Sequence, residues 1–393
     1  MGMNNTPSGE RLHIGLFGQR NAGKSSLLNA IAGQSVSVVS EVAGTTTDPV
    51  YKAMELLPIG PVMLIDTPGF DDAGRLGELR VARTRQVLEK TDIALLVMDA
   101  RTGKTKDDEN LVELFAQRNI PFLEVYTKSD LCSATSERTD LLVSAYTGQN
   151  IKELKEQIIQ TMAKYKEPPP LVGDLVRSGD LVILVTPIDS AAPKGRLILP
   201  QQQTIRDLLD SSAIAVVCKE TELVPTLKSM SQKPTLVITD SQAFRQVATE
   251  IPSDIPLTSF SILMARRKGL LDTAVRGISA LASLRDGDTV LICEGCTHHR
   301  QCGDIGSVKL PQWLGQLTKK NLNIKLCSGN DFPENLSSYS LVVHCGGCML
   351  NERAMHYRVR LAAAQGIPLT NYGILIAHMN GILARSIAPF SIH

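Results

Sequence analysis

The chain is poor in aromatic residues, which make up 4% of it, and nearly neutral, with 41 lysines and arginines against 40 aspartates and glutamates. Proteins that read RNA interleave basic stretches with aromatic platforms. That combination is missing, so no nucleic-acid partner is expected. Long apolar runs are missing as well. Ile374-Leu-Ile-Ala377 stops at His378 and Asn380, far short of the roughly 20 residues that cross a bilayer. No membrane partner is expected. The N-terminal stretch has no signal-like apolar core, which makes a cytoplasmic location the expectation. Met1-Gly2-Met-Asn-Asn-Thr6 fits the myristoylation pattern, but no polybasic second signal follows, and the match reads as coincidence. Eight cysteines in such a chain are not a disulfide framework, and six of them lie beyond position 290. Clustering of that kind points to metal or redox chemistry.

Hydrophobic residues at 43% and charged residues at 21% are globular values, and 393 residues allow two or three full cores. The strongest motif is Gly18-Gln-Arg-Asn21-Ala22-Gly23-Lys24-Ser25, directly after the apolar run His13–Phe17 and before the helix-like Ser26-Leu-Leu-Asn-Ala-Ile-Ala32. The two glycines let successive N–H groups turn toward one point, where the helix N-terminus adds its positive end. Lys24 then reaches the β- and γ-phosphates, and Ser25 offers a hydroxyl to Mg²⁺. Strand, loop and helix in this order predict a nucleotide phosphate site.

Three further strings extend it. Gly44-Thr45-Thr46-Thr47, about twenty positions on, is placed to give a second Mg²⁺ ligand, Thr46 being favoured and Thr45 the alternate. Val62–Ile65 leads into Asp66-Thr67-Pro68-Gly69, a carboxylate for Mg²⁺ through water and a flexible N–H for a γ-phosphate. Thr127-Lys128-Ser129-Asp130 chooses the base: Asp130 can accept two donors from a guanine edge while the Lys128 stem covers the ring. Leu142-Val-Ser144-Ala145 falls where a backbone N–H would meet the guanine carbonyl. Together these strings resemble the translation-factor-like GTPases, with GTP and Mg²⁺ as ligands. Thr127 stands where the commoner residue is Asn, and a bracing amide hydrogen bond is expected to be lost. Resemblance to the potassium-activated branch implies that the Asn21 amide holds K⁺. Phe70 follows Gly69 where Ras-like proteins carry a water-orienting Gln, so hydrolysis is expected to be slow and K⁺-stimulated. Asp71, Asp72 and Glu78 are candidates for touching the attacking water, with nothing to select one.

Pro168-Pro169-Pro170 ends the helical pattern Ile151–Lys164 and reads as a linker. Beyond it, strands at Leu181–Val185, Ala213–Val217 and Thr235–Ile238 alternate with helices at about Gln203–Leu209, Glu220–Met230 and Ser241–Ala248. Alternation of this kind predicts a small parallel sheet. No phosphate loop or ligand cluster appears there, which suits an assembly module. Cys218 reads as a buried strand residue.

In the last third, Thr289–Ile292 runs into Cys293-Glu294-Gly-Cys296-Thr-His298-His299-Arg-Gln-Cys302-Gly-Asp304, and Leu341–Val343 runs into His344-Cys345-Gly-Gly-Cys348. A helix (Trp313–Lys319) and a strand (Asn323–Cys327) lie between. Both cysteine loops therefore leave parallel strands of one sheet, and such loops gather at one edge. Cys293, Cys296, Cys345 and Cys348 would suit a structural Zn²⁺; histidines around a ready-made core suggest a reactive centre instead. His299, His356 and His378 read as surface or satisfied core histidines, and Cys327 as core.

Cys296-x-His298, 45 intervening residues and His344-Cys345-x-x-Cys348 resemble the signature of the hydrogenase maturation GTPase family, HydF. The resemblance covers essentially the whole chain. It implies a GTPase and scaffold that carries a 4Fe–4S cluster, receives a di-iron precursor from radical-SAM maturases and delivers it to apo FeFe-hydrogenase, as a homodimer or higher homo-oligomer. Carried over by position, Cys296, Cys345 and Cys348 hold the cluster and His298 and His344 lie near its fourth iron. Cys293, Cys302, Glu294 and Asp304 are further candidates for that position. The expected architecture is α/β: an N-terminal P-loop GTPase domain (10–165), a middle domain suited to dimerisation (171–260) and a cluster-binding domain (261–393), the last two with mainly parallel sheets. The rival reading is a ribosome- or tRNA-associated GTPase with a zinc-stabilised C-terminal module.

Overall fold

The computed structural model describes residues 6–33, 49–69, 83–132, 141–164, 169–188, 197–295, 304–329 and 331–390. The chain divides into two compact units, 1–167 and 168–393. Among the described residues no helix is long and apolar enough to cross a membrane.

Unit 1 is built on a six-stranded sheet: β1 (Leu12–Phe17), β2 (Val50–Leu56), β3 (Gly60–Asp66), β4 (Ile93–Asp99), β5 (Phe122–Thr127) and β6 (Leu141–Leu142). Their order is β2-β3-β1-β4-β5-β6, and only β2 runs antiparallel. β4 shows why the strands are apolar throughout. Ile93, Leu95 and Val97 enter one core with the helices Lys24–Ala32 and Ile151–Ala163; Ala94, Leu96 and Met98 enter the other with the helix Lys106–Gln117. A sheet covered on both faces has no side left for polar residues. In the second core Phe17 meets Phe115 edge-on, centroids 5.3 Å apart. The helix Lys106–Gln117 starts at a capping box, with Asp108 N donating to Thr105 Oγ1 and Thr105 N donating to Asp108 Oδ2.

Unit 2 holds two four-stranded parallel sheets. The first is β7 (Leu181–Val185), β8 (Ile214–Cys218), β9 (Leu236–Thr239) and β10 (Leu257–Ser259) in the order β10-β9-β7-β8. The second is β11 (Thr289–Glu294), β12 (Asn323–Ser328), β13 (Leu341–His344) and β14 (Leu369–Asn371) in the order β12-β11-β13-β14. One continuous core joins them. The helices Phe260–Arg267 and Tyr372–Met379 run through it, and the second keeps Tyr372 through Ala377 buried on every side. Cys218 and Cys327 are buried strand residues, as their apolar settings suggest.

Two helices begin earlier than periodicity predicts: Leu199–Asp210 and Leu310–Thr318. Each carries a proline in its first turn, where the missing N–H would have had no partner and the fixed φ already suits a helix. Gln201 helps at the first by accepting from Ile198 N (3.1 Å). Proline marked a boundary in both cases, but the boundary was a beginning.

Gly277, at the end of the helix Leu271–Gly277, has no room for a side chain: a Cβ would lie 2.1 Å from the Leu369 carbonyl oxygen of β14. Gly315 has nothing within 4 Å of its would-be Cβ. Gly277→Ala should cost unit 2 about 1–3 kcal/mol, whereas Gly315→Ala should leave it equal or more stable by up to about 1 kcal/mol. Urea unfolding followed by the fluorescence of Trp313, the single tryptophan, reads both.

Candidate functional site

The P-loop leaves β1 at Gly18 and enters the helix at Lys24. Gly18 has φ 142°, and a Cβ there would meet the Val97 carbonyl oxygen at 2.1 Å; Gly23 has φ 93°. Neither position tolerates a side chain, so the backbone itself lines the cradle. Lys24, only 7% exposed, donates from Nζ to the carbonyls of Gly18 (2.9 Å) and Gln19 (2.7 Å). Ala22 is buried, Ser26 exposed, and Asn21 sits exposed at the crest with φ 58°. Ser25 Oγ donates to Asp66 Oδ2 at 2.5 Å, because Asp66 ends β3 in register beside Leu16 of β1. Asp66 Oδ1 is buried with no partner among the described residues. Burial raises the Asp66 carboxyl above its ordinary range, against the opposing pull of Ser25 and Lys24. Gly69 packs against the loop, its would-be Cβ 2.8 Å from Arg20 N. Ser25 and Asp66 thus converge with an oxygen to spare, the donor set a hard divalent cation takes.

At the far end of the loop the brace expected to be lost with Thr127 is present in another form. The Thr127 hydroxyl lies 2.5 Å from the Ala22 carbonyl oxygen and 3.1 Å from that of Met98, joining loop to sheet. Lys128, at φ 59°, donates to the Asn21 carbonyl (2.7 Å) and to Asp99 Oδ2 (2.8 Å). Asp99 also takes Arg101, whose hydrogen bonds, with those from Lys128, hold its carboxyl well below the usual range. Asp130 is exposed and accepts from Ser144 Oγ at 2.5 Å. Ser144 N donates to Gln149 O (3.1 Å), which leaves Ala145 as the amide for a ligand carbonyl.

The second site lies at the carboxyl edge of β11 and β13, which pair directly. Cys345 N donates to Cys293 O (2.9 Å), while Cys345 Sγ accepts from Gly295 N (3.0 Å) and Gly347 N (3.3 Å). Gly347 has φ 65°, and a Cβ on it would meet Met355 Sδ at 2.7 Å. Burial pushes the Cys348 thiol up to about 12 and raises that of Cys345, which the two amides oppose. His344 is fully buried. Arg358 can only donate, so the 2.8 Å contact from Nη1 makes His344 Nε2 the acceptor; Nδ1 then carries the proton and donates to Cys345 O, also 2.8 Å. Burial and Arg358 lower the His344 pKa to about 3. Both ring nitrogens are engaged, an outer role that orients the Cys345 loop. Asp304 caps the turn at Ile305 by accepting from Ser307 N and Oγ, and Glu294 is buried. The buried Tyr372 hydroxyl has no partner among the described residues, and it and Glu294 Oε1 each lie 2.5 Å from a would-be Cβ on Gly306. Thr45, Thr46, Phe70, Asp71, Asp72, Glu78, Cys296, His298, His299 and Cys302 lie outside the described residues. Among the described residues no three His, Cys, Asp or Glu side chains converge as a metal site.

Comparison with known families matches three segments of the chain. A hydrogen maturase F dimerisation domain matches residues 171–269, and a hydrogen maturase F tetramerisation domain matches 272–389. The chain belongs to the hydrogen maturase F family. Its first part, 13–128, matches the model described as a 50S ribosome-binding GTPase, so the HydF chain carries a GTPase domain. Curated relatives include the tRNA modification GTPases MnmE of Burkholderia cenocepacia (36% identical over 164 residues, 38% of this chain and 34% of that protein) and Nitrosomonas europaea (36% over 160 residues, 39% and 35%). The chain spans about a third of the length of these relatives. Among solved structures, Era of Aquifex aeolicus is 18% identical with a TM-score of 0.33, covering 89% of this chain and 97% of that one.

Sequence reading missed Arg358, Tyr372 and Asp99, which lie outside the motifs and are brought in only by the fold, and it read Ser144 for its backbone without its hydroxyl. Thr127→Val should weaken guanine-nucleotide binding about tenfold, since the buried Ala22 and Met98 carbonyls lose their donor. Thr127→Asn should bind at least as well as the native chain. Titration with a fluorescent GDP analogue checks both.

Proposed function

We propose that this HydF-family chain is a GTP-hydrolysing scaffold that holds a 4Fe–4S cluster, accepts a di-iron subcluster built by radical-SAM maturases and passes it to apo FeFe-hydrogenase. The observation that carries the reading is the Cys345 sulfur. Two amides from the loops after neighbouring strands donate to it, which opposes the cost that burial sets on a thiolate there. Arg358 adds to it: only 4% exposed, its guanidinium has a ring nitrogen, a carbonyl and the Phe332 face as partners, and no carboxylate among the described residues. A buried cation of that kind is costly unless an anion offsets it, and metal-bound thiolates are anions. Cys296, Cys345 and Cys348 would hold the cluster, with His298 and His344 as outer donors. Three thiolates on four irons leave one position at which cargo can bind and be released. Cys293, Cys302, Glu294 and Asp304 are the other candidates for that position.

For GTP, the amides from Gly18 to Ser26 and Lys24 would cradle the phosphates. Ser25, Asp66 and Thr46 would hold Mg²⁺, directly or through water, and Gly69 N would meet the γ-phosphate. Thr127, Lys128 and Asp130 would frame the guanine, with Ser144 holding Asp130 in place and Ala145 N meeting the base carbonyl. Asn21 would place K⁺, which compensates for the missing glutamine after Gly69. The two matched assembly domains support a homo-oligomer, and the three-part division 10–165, 171–260 and 261–393 assigns one task to each part. The likeness to MnmE supports a second reading, a tRNA- or ribosome-associated GTPase with a zinc module, but it reaches only 38% of the chain.

Protein purified and reconstituted without oxygen should hold about four irons per chain and give a reduced-cluster EPR signal, lost in Cys345→Ser. One tightly held zinc without reconstitutable iron would move the assignment to the second reading. Replacing KCl by NaCl at equal ionic strength should slow steady-state GTP hydrolysis at least tenfold, and Asn21→Ala should abolish the difference. Equal rates in the two salts would remove K⁺ from the site.

A further inference from the structure

Cys293 is one candidate for the cluster's open position, and Cys327 lies outside every ligand position named above. They lie opposite one another on β11 and β12, in register on adjacent parallel strands, with their Sγ atoms 3.0 Å apart. Apolar core atoms meet at about 3.5–4.0 Å, so these sulfurs are closer than packing alone requires. Neighbouring strands run about 4.8 Å apart, within the Cα separation of about 4.4–6.8 Å that a disulfide spans. Both cysteines are free thiols.

We propose that Cys293 and Cys327 are a redox site, a dithiol that a small-molecule disulfide of the glutathione class oxidises reversibly to a disulfide between β11 and β12. The fold sets the order of events. β12 is the edge strand of its sheet, and Cys327 is 9% exposed, while Cys293 is wholly enclosed between β12 and β13. Cys327, as thiolate, attacks one sulfur of the oxidant; the oxidant's S–S bond breaks and one small thiol leaves. Cys293 gives up its proton and attacks the Cys327 sulfur of the mixed disulfide, releasing the second small thiol. Two protein thiols lose two electrons and two protons, and the oxidant takes up both. The bond would tie the edge strand to the segment that positions Cys345, since Cys293 O accepts from Cys345 N and Gly295 N donates to Cys345 Sγ. The proposal goes beyond the scaffold reading and does not require a cluster.

The full chain, reduced and freed of small thiols, is equilibrated with graded ratios of oxidised to reduced glutathione, quenched in acid, alkylated and peptide-mapped. A peptide linking Cys293 to Cys327 should appear in a single two-electron step and disappear on reduction with dithiothreitol. Cys293→Ser should stop the reaction at a glutathione adduct on Cys327. Cys327→Ala should remove the linked peptide while the chain still unfolds in one cooperative Trp313 transition. The proposal fails if both residues are alkylated at ratios that modify the half-buried Cys132, or if Cys293 is found linked to any other cysteine. The readout is sulfur connectivity, so loss of the iron assignment would leave it standing.

Discussion

Parallel strands that pair must release their chains at the same edge of the sheet, and both sites of this protein depend on that constraint. In unit 1, β1 and β3 pair in register, so the P-loop and the segment after Asp66 emerge side by side, and Ser25 meets a carboxylate 41 positions away. In unit 2, β11 and β13 do the same for two cysteine segments about fifty residues apart. The hydrogen bond from Cys345 N to Cys293 O continues the ladder past the strand ends, and Gly295 N, the next amide along, donates to the Cys345 sulfur. No special loop is needed to assemble either site.

What the strand edge does not supply is charge. Parallel β-ladders have their carbonyls and amides consumed, and the apolar cores behind them disfavour ions. Each site therefore carries one nearly buried cation pointed at its edge. Lys24 rests on the carbonyls of its own loop, and Arg358 rests on His344 and the Gly329 carbonyl. Arg358 has no carboxylate partner among the described residues. Carbonyl oxygens offset a buried cation only in part, so each side chain can take up an anion brought to its edge. Phosphate suits the first. Thiolate sulfur suits the second, where the guanidinium also keeps His344 neutral and in one tautomer.

This division explains what could be read from the sequence. Phosphate-loop residues are contiguous because a backbone cradle must be, so Gly18, Gly23, Lys24 and Ser25 declare themselves in one string. The middle strands were legible for a similar reason: unbroken apolar runs such as Leu181–Val185 have few other uses. The strand β13 was legible from the apolar run Leu341–Val343 that leads into His344. Arg358 was not, because on the helix Glu352–Ala364 it is one of several arginines, and only its burial sets it apart. Tyr372 was hidden in the same way, and the Ser144 hydroxyl stood in a string read only for its backbone. The helix starts at Leu199 and Leu310 were missed because proline signals an end or a beginning according to whether the next turn has partners, which is decided by packing.

Thr127 shows how far a motif can depart without losing its physics. An asparagine amide at that position can donate two hydrogen bonds, whereas a threonine hydroxyl has one proton for the two carbonyls it approaches, Ala22 at 2.5 Å and Met98 at 3.1 Å. One carbonyl is therefore satisfied fully and the other weakly, at a residue that is 2% exposed and cannot borrow water. Lys128 compensates from the next position by donating to Asn21 O, so the loop is fastened at two consecutive residues, Asn21 and Ala22. The loop keeps its shape, and the departure falls on the strength of one buried contact.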